Sequence, residues 1–188
     1  MRRAIFHRHR NQTPILRFTL VRQPSCPHLD EASWLQADQI KGYSMSDTVY
    51  VLNGPNLNLL GVREPEIYGA DTLDEIAGGL EDKAKALGLE LEVRQSNHEG
   101  HLIDWMHEAQ AEGAKAIILN AGALTHTSLA LYDAIRGIAL PVIEVHLSNP
   151  HARETYRHKS FVGMAATGSI SGFGPLSYEL ALEAAAKL

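Results

Sequence analysis

Two short apolar runs constrain the fold of this chain more than any other feature. KAIILN at 115–120 and PVIEVH at 141–146 are aliphatic and β-branched, and each stops at polar residues. Runs of that kind suit strands covered on both faces, the usual state in a parallel sheet. Three further strands join them: Thr48 to Asn53, a β-branched and aromatic run; Leu89 to Gln95, alternating and so less buried; and one within Phe161 to Ile170. Helices fall between them. The first runs from Thr72 to Leu87, with Thr72 and Glu75 at capping-box spacing and Gly88 as its stop. The second starts near Ser96, with Glu99 three residues on, and ends at Gly113. A third covers Thr127 to Ile138. Asn149 and Pro150 open a short helix through Arg157, and Gly174 and Pro175 open a last one to Leu188. Five strands, each followed by a helix, predict an α/β fold: a five-stranded parallel sheet of flavodoxin-like order with helices on both faces.

Composition removes several alternatives. The chain has 188 residues, 45% hydrophobic and 21% charged, which suits a globular protein and excludes a wholly disordered, collagen-like or disulfide-scaffold chain. No run approaches the ~20 apolar residues of a membrane-spanning helix, so no membrane partner is expected. Cys26 is the one cysteine; it makes no internal disulfide and no cysteine-based metal site. Residues 1–46 carry 7 Lys and Arg against 3 Asp and Glu, and the remainder carries 10 against 19. A body this acidic lacks the electrostatic footprint of a nucleic-acid binder, and an anionic ligand needs a local cationic pocket within it.

Residues 1–45 look foreign to the rest. They hold six arginines, no acid before Asp30 and no sustained apolar period. They read as a disordered leader or as the result of a start assigned too early, since Met45 stands just before the first strand. An organelle transit peptide is the alternative. Residues 46–188 read as a single catalytic domain.

The polar residues collect at one edge of the sheet. In an open α/β sheet, ligands bind beyond the carboxyl ends of the strands. The first strand ends in Asn53, Gly54, Pro55 and Asn56, the third in Asn120, Ala121 and Gly122 followed by Thr125 and His126, and the fourth in Glu144, His146 and Ser148. In flavodoxin-like order these three strands are neighbours, so their amide, imidazole and hydroxyl groups converge. Taken singly, Asn56 could be a turn residue, His126 a helix cap and His146 a satisfied core histidine; three strand ends of this kind together favour a pocket. The connection NLNLLGVREPEIYG at 56–69 is longer than the usual ~2–6 residues. With Gly61 and Gly69 as hinges, it reads as a lid. It lacks the phosphate-loop pattern, and no dinucleotide fingerprint occurs in the chain. Arg153 and Arg157 are spaced i,i+4 and suit a carboxylate clamp. His98 and His101 have i,i+3 spacing, but the apolar face of their helix (Leu102, Ile103, Met106, Ala109) lies opposite, so they read as solvent-facing and not as metal ligands.

Taken together, NGPNLNLLGVREPEIYG, QSNHEGHLIDWMHEA, ILNAGALTHTSLALYDAI and IEVHLSNPHARETYRHKS resemble the type II 3-dehydroquinate dehydratases, in order and without large gaps from about Thr48 to Leu188. The resemblance implies dehydration of 3-dehydroquinate to 3-dehydroshikimate through an enolate, in the shikimate pathway of aromatic amino-acid biosynthesis, with no cofactor and no metal. It implies cytoplasmic homo-oligomers, dodecamers of four trimers. It assigns Tyr68 as the base at carbon 2, Arg63 as the cation favouring its phenolate, and Asn56 as holder of the water that stabilises the enolate. His146 is the acid for the departing hydroxyl, supported by Glu144. Asn120, His126, Leu147, Ser148, Arg153 and Arg157 hold the substrate, and Asp133 reaches a neighbouring subunit's site. The chemistry agrees: a β-hydroxy ketone that loses water through an enolate needs a base, an oxyanion stabiliser and an acid. Tyrosine titrates near ~10 and needs a cation to serve as a base at neutral pH. A flavodoxin-like cofactor carrier, or an assembly module without catalysis, is the alternative.

Overall fold

The computed structural model describes residues 46–62 and 70–188; the leader, Arg63 and Tyr68 lie outside them. β1 (Thr48–Asn53), β2 (Glu90–Gln95), β3 (Ala116–Asn120), β4 (Val142–His146) and β5 (Gly168–Ser171) form one sheet. Its order is β2-β1-β3-β4-β5 and every pairing is parallel. This is the expected flavodoxin-like arrangement. Five helices accompany the strands: α1 (Leu73–Leu87), α2 (Glu99–Ala111), α3 (Leu129–Gly137), α4 (Phe161–Ala165) and α5 (Leu176–Lys187).

Strand alternation divides the core in two. Val49 and Val51 of β1 point to one face with Ile118 of β3, where α1 contributes Ile76, Leu80 and Ala84, and α5 contributes Tyr178, Ala181 and Leu182. Tyr50 and Leu52 point to the other face with Ile117 and Leu119. There α2 supplies Leu102 and Met106, α3 supplies Leu131 and Ile135, and α4 supplies Val162. Burial of apolar surface on both sides stabilises the sheet by roughly 1.5–3 kcal/mol per large aliphatic side chain, and it explains why β3 is buried at every position.

Local signals account for most element ends. Thr72 caps α1 by accepting from the Glu75 amide while the Glu75 carboxylate accepts from the Thr72 amide at 2.8 Å. Gly88 ends it in the left-handed region. Four expectations differ in detail. The stretch from Phe161 opens with α4, capped by Ser160, so the fifth strand is confined to Gly168–Ser171. Ser96 does not cap α2: its Oγ accepts from the His98 amide at 3.0 Å and bonds His101 Nδ1 at 2.8 Å, so the helix begins only at Glu99. Arg153 and Arg157 do not share a helix, because Arg153 is extended and separates two 3-10 turns, Pro150–Ala152 and Thr155–Arg157. β2 does not alternate sharply. It is an edge strand that is half-buried at five of its six positions. Its Arg94 lies over the Tyr50 and Trp105 rings and bonds Glu108 with two nitrogens, at 2.7 and 2.8 Å. The histidines His98, His101 and His107 are exposed, as the apolar face of their helix requires.

Candidate active site

The carboxyl ends of β1, β3 and β4 meet around one pocket. Its lining includes Pro55, Asn56, Leu57 and Leu60 after β1; Asn120, Gly122, Ala123 and His126 at β3; and His146, Leu147, Ser148, Pro150, Arg153 and Arg157 at β4 and beyond. Of the twelve residues singled out in the sequence, eight line it: Asn56, Asn120, His126, His146, Leu147, Ser148, Arg153 and Arg157. Glu144 lies beneath them. Asp133 is exposed on α3 and does not line the pocket. Arg63 and Tyr68 fall in the segment 63–69, outside the described residues. The two ends of that loop meet, since Gly61, at φ 80°, sits where a Cβ would come within 2.9 Å of Thr72 Cγ2.

Close approach of two loops frames the pocket. The Gly54 amide donates to the Asn120 carbonyl at 2.7 Å. A Cβ at Gly54 would lie 2.5 Å from the Ala121 carbonyl oxygen, so only glycine lets the β1 and β3 ends pass. Beneath them, Asn120 Nδ2 donates to the Tyr178 hydroxyl at 2.8 Å, and that hydroxyl donates to Asn53 Oδ1 at 2.6 Å. Burial pushes the Tyr178 phenol well above its ordinary range, so it remains a donor. Asn120 is thereby held from beneath by a fully buried phenol and amide, Tyr178 and Asn53.

Glu144 and His146 form the most strongly polarised part of the site. They lie two apart on β4 and so on the same face of the strand. The Glu144 carboxylate is 3% exposed. Its Oε1 accepts from Thr125 Oγ1 at 2.5 Å, Ser160 Oγ at 2.5 Å and His146 Nε2 at 3.0 Å, and its Oε2 accepts from Ser169 Oγ at 2.7 Å. Burial alone would push this carboxyl up. The hydrogen bond and charge of His146, with the Ser160 and Thr125 hydroxyls, outweigh it and bring Glu144 down to about 2. An ionised Glu144 fixes the Nε2–H of His146 and leaves Nδ1 as the other proton-bearing position of that ring.

His126 is set differently. Its ring stacks on His146 with centroids 6.5 Å apart and planes 8° apart. Its Nδ1 donates to the Lys159 carbonyl at 2.8 Å. Burial lowers its pKa below the usual histidine range, and the charges of His146 and Arg157 add to this against the pull of the Lys159 carbonyl and Glu144. A neutral His126 with Nδ1–H engaged offers Nε2 as an acceptor to a hydroxyl. Arg153 and Arg157 supply the cationic wall. Glu154 lies between them, 3.6 Å from Arg153 Nε and 2.9 Å from Arg157 Nε.

Sequence reasoning missed Ser160, Ser169 and Tyr178, and noted Thr125 without a role. A glutamate in the middle of an apolar strand was the available signal, because a buried carboxylate requires several donors. No group of three or more His, Cys, Asp or Glu able to hold a metal occurs among the described residues, and none of their helices is long and apolar enough to cross a membrane.

The chain is similar in sequence and in fold to known proteins. The 3-dehydroquinate dehydratase of Phenylobacterium zucineum is 60% identical over 144 residues, covering 77% of this chain and 99% of the relative. That of Caulobacter vibrioides is 57% identical over 141 residues, covering 75% and 96%. A crystal structure of type II dehydroquinase from Propionibacterium acnes superimposes with a TM-score of 0.73 at 44% identity, covering 77% of this chain and 99% of that one. Another, from Butyrivibrio crossotus, gives 0.72 at 40% identity, covering 73% and 96%. The family model described as dehydroquinase class II matches residues 47–186, and on these grounds the chain belongs to the class II dehydroquinases.

Proposed function

We propose that this protein dehydrates 3-dehydroquinate to 3-dehydroshikimate, as a carbon–oxygen lyase of the shikimate pathway. The observation that carries the reading is the Glu144–His146 pair at the foot of a pocket that also holds two arginines and a neutral histidine. Each feature answers a need of the substrate. Its carboxylate calls for a guanidinium partner, supplied by Arg153 and Arg157. Its hydroxyls call for acceptors and donors, supplied by His126, Asn120 and the chain at Leu147 and Ser148. Its departing hydroxyl calls for an acid beside it, and His146 takes that role through Nδ1 while Glu144 holds the opposite nitrogen.

Proton removal from carbon 2 falls to Tyr68, with Arg63 favouring its phenolate, both on the loop between Gly61 and Ala70. The electron pair released by the broken C–H bond passes into the ketone to give an enolate. Asn56 holds the water that faces the enolate oxygen. Collapse of the enolate expels the hydroxyl, which leaves as water with the proton of His146. The balance requires no redox partner: the proton taken by Tyr68 returns through solvent to His146, which restores both groups. Residues 46–188 constitute the catalytic domain, and residues 1–45 take no part in catalysis. The enzyme works in the cytoplasm as a homo-oligomer, a dodecamer of four trimers, with Asp133 directed at a neighbouring subunit's pocket. Its exposure on α3, away from its own chain's pocket, supports that role.

The test is the growth of enone absorbance when 3-dehydroquinate is added to the purified protein. A protein that forms no enone is not this dehydratase. Flavin absorbance in the purified protein would instead support a cofactor carrier. Sedimentation of the full chain and of a chain lacking residues 1–44 checks the assembly and the leader together.

A further inference from the structure

We infer that Asn97, on the β2–α2 connection, is a positioning residue for Asn56, and that it acts by holding the backbone of Asn56 in a left-handed conformation. Asn56 has φ 67° and ψ 1°, and it is the one non-glycine residue with positive φ among the described residues. Asparagine tolerates that region better than most residues, yet it is still the less favoured basin for a residue with a side chain. The support comes from outside its own loop. The Asn56 amide donates to Asn97 Oδ1 at 2.9 Å.

The acceptor is itself fixed. Gln95 Nε2 lies 3.2 Å from Asn97 Oδ1 and 3.2 Å from the Gly54 carbonyl, so one side chain ties the acceptor to the loop it serves. On the far side, Ser96 donates its amide to the Asn53 carbonyl at 2.9 Å, and its Oγ accepts from the His98 amide at 3.0 Å. These bonds hold residues 95–98 in register with the end of β1. Meanwhile the Asn56 side chain makes no capping bond to the 3-10 turn it opens. The backbone is held, and the residue lines the pocket.

A left-handed residue clamped at its amide and lining a pocket is a pattern of backbone strain kept for function. Released from Asn97, residue 56 relaxes toward negative φ, and its side chain swings away from the position used in the reaction. The substrate anchors, Arg153, Arg157 and His126, belong to other strand ends and remain in place. Loss of Asn97 therefore lowers turnover more than it weakens binding. This role rests on the dehydratase reading above, whereas the clamp itself does not.

The experiment compares Asn97→Ala with Asn97→Asp in the full chain, by two readouts. The first is hydrogen–deuterium exchange of peptides spanning residues 54–60. The second is kcat and KM with 3-dehydroquinate. In Asn97→Ala the Asn56 amide exchanges faster, and kcat falls about 10- to 100-fold with KM little changed, as expected for misplacement of a reacting group by about an ångström. Asn97→Asp keeps an acceptor oxygen, so it retains slow exchange and most of the turnover. Unchanged exchange in Asn97→Ala overturns the clamp. Equal losses of kcat in the two variants, or a loss confined to KM, overturn the positioning role. A wild-type protein that forms no enone sinks the dehydratase reading and the positioning role, while exchange still decides the clamp.

Discussion

Asn120 at the end of β3 donates to the hydroxyl of Tyr178 on α5, at 2.8 Å and across 58 residues of sequence. Tyr178 is fully buried and passes the bond on to Asn53. A helix on the back of the sheet thus sets the orientation of a pocket residue it never exposes.

Tyr178→Phe removes that hydroxyl and strands two buried amide groups. It is expected to cost roughly 1–3 kcal/mol of stability and to raise KM for 3-dehydroquinate, with kcat less affected. Denaturant unfolding and steady-state kinetics measure both. A variant with wild-type KM and stability would mean that Asn120 is held by other means.

Glu144 makes stability depend on acid. Its carboxyl lies at about 2 in the folded chain, below the ordinary 4.5. A depressed pKa stabilises the fold above the unfolded value, and that contribution is lost as pH falls from 4.5 through 2. Glu144→Gln is therefore expected to be less stable than wild type at pH 7, with the gap narrowing as pH falls toward 2. Parallel urea titrations at several pH values check the trend. A gap that stays constant with pH would remove Glu144 from the acid response.

Gly163→Ala tests the room around that carboxylate. A Cβ at this position would stand 2.5 Å from Glu144 Oε2 and 3.0 Å from Ser160 Oγ. The expected cost is about 1–3 kcal/mol, as for overpacking generally, together with a loss of turnover because Glu144 must shift from His146. Thermal unfolding and the enone assay report the two effects. Full turnover in a folded Gly163→Ala protein would separate the packing of Glu144 from catalysis.

Direct proton abstraction excludes an imine between a lysine and the ketone. Among the described residues no lysine lines the pocket. Lys159 is exposed, with its ammonium 4.1 Å from the centre of the Phe161 ring. Borohydride added with substrate is expected to leave activity intact and to produce no adduct in intact-mass spectrometry. Tyr68→Phe is expected to lower kcat by about 10²–10⁴-fold, the range of general-base catalysis, with a smaller effect on binding. A reduced adduct on Lys159, or a Tyr68→Phe enzyme of near-normal turnover, would require a different base.

The centre of the sheet was legible because β1, β3 and β4 are short β-branched runs bounded by polar turns, and α1 because Thr72 and Glu75 form the capping box their spacing announces. Convergence of Asn56, Asn120 and His146 followed from strand order alone. The rest depended on side-chain choices that spacing does not determine. Ser96 turns toward His98 and His101 in place of capping α2. Arg153 adopts an extended backbone, so the i,i+4 relation to Arg157 has no helical meaning, although both arginines reach the pocket. Thr125, Ser160 and Ser169 are ordinary residues until β3, α4 and β5 bring them to one carboxylate.

The pocket's pins also bear on how the chain acquires activity. Asn53 and Tyr178 are 125 residues apart, Asn56 and Asn97 are 41 apart, and Thr125 and Ser160 reach Glu144 from 19 and 16 residues away. Long loops must close before such pairs return any free energy, which places them among the slow events of folding. Collapse of the two apolar layers can precede them. A chain can therefore be compact, and largely protected from solvent, before it is competent to turn over substrate. Competence arrives when α5 docks and Tyr178 joins the two asparagines.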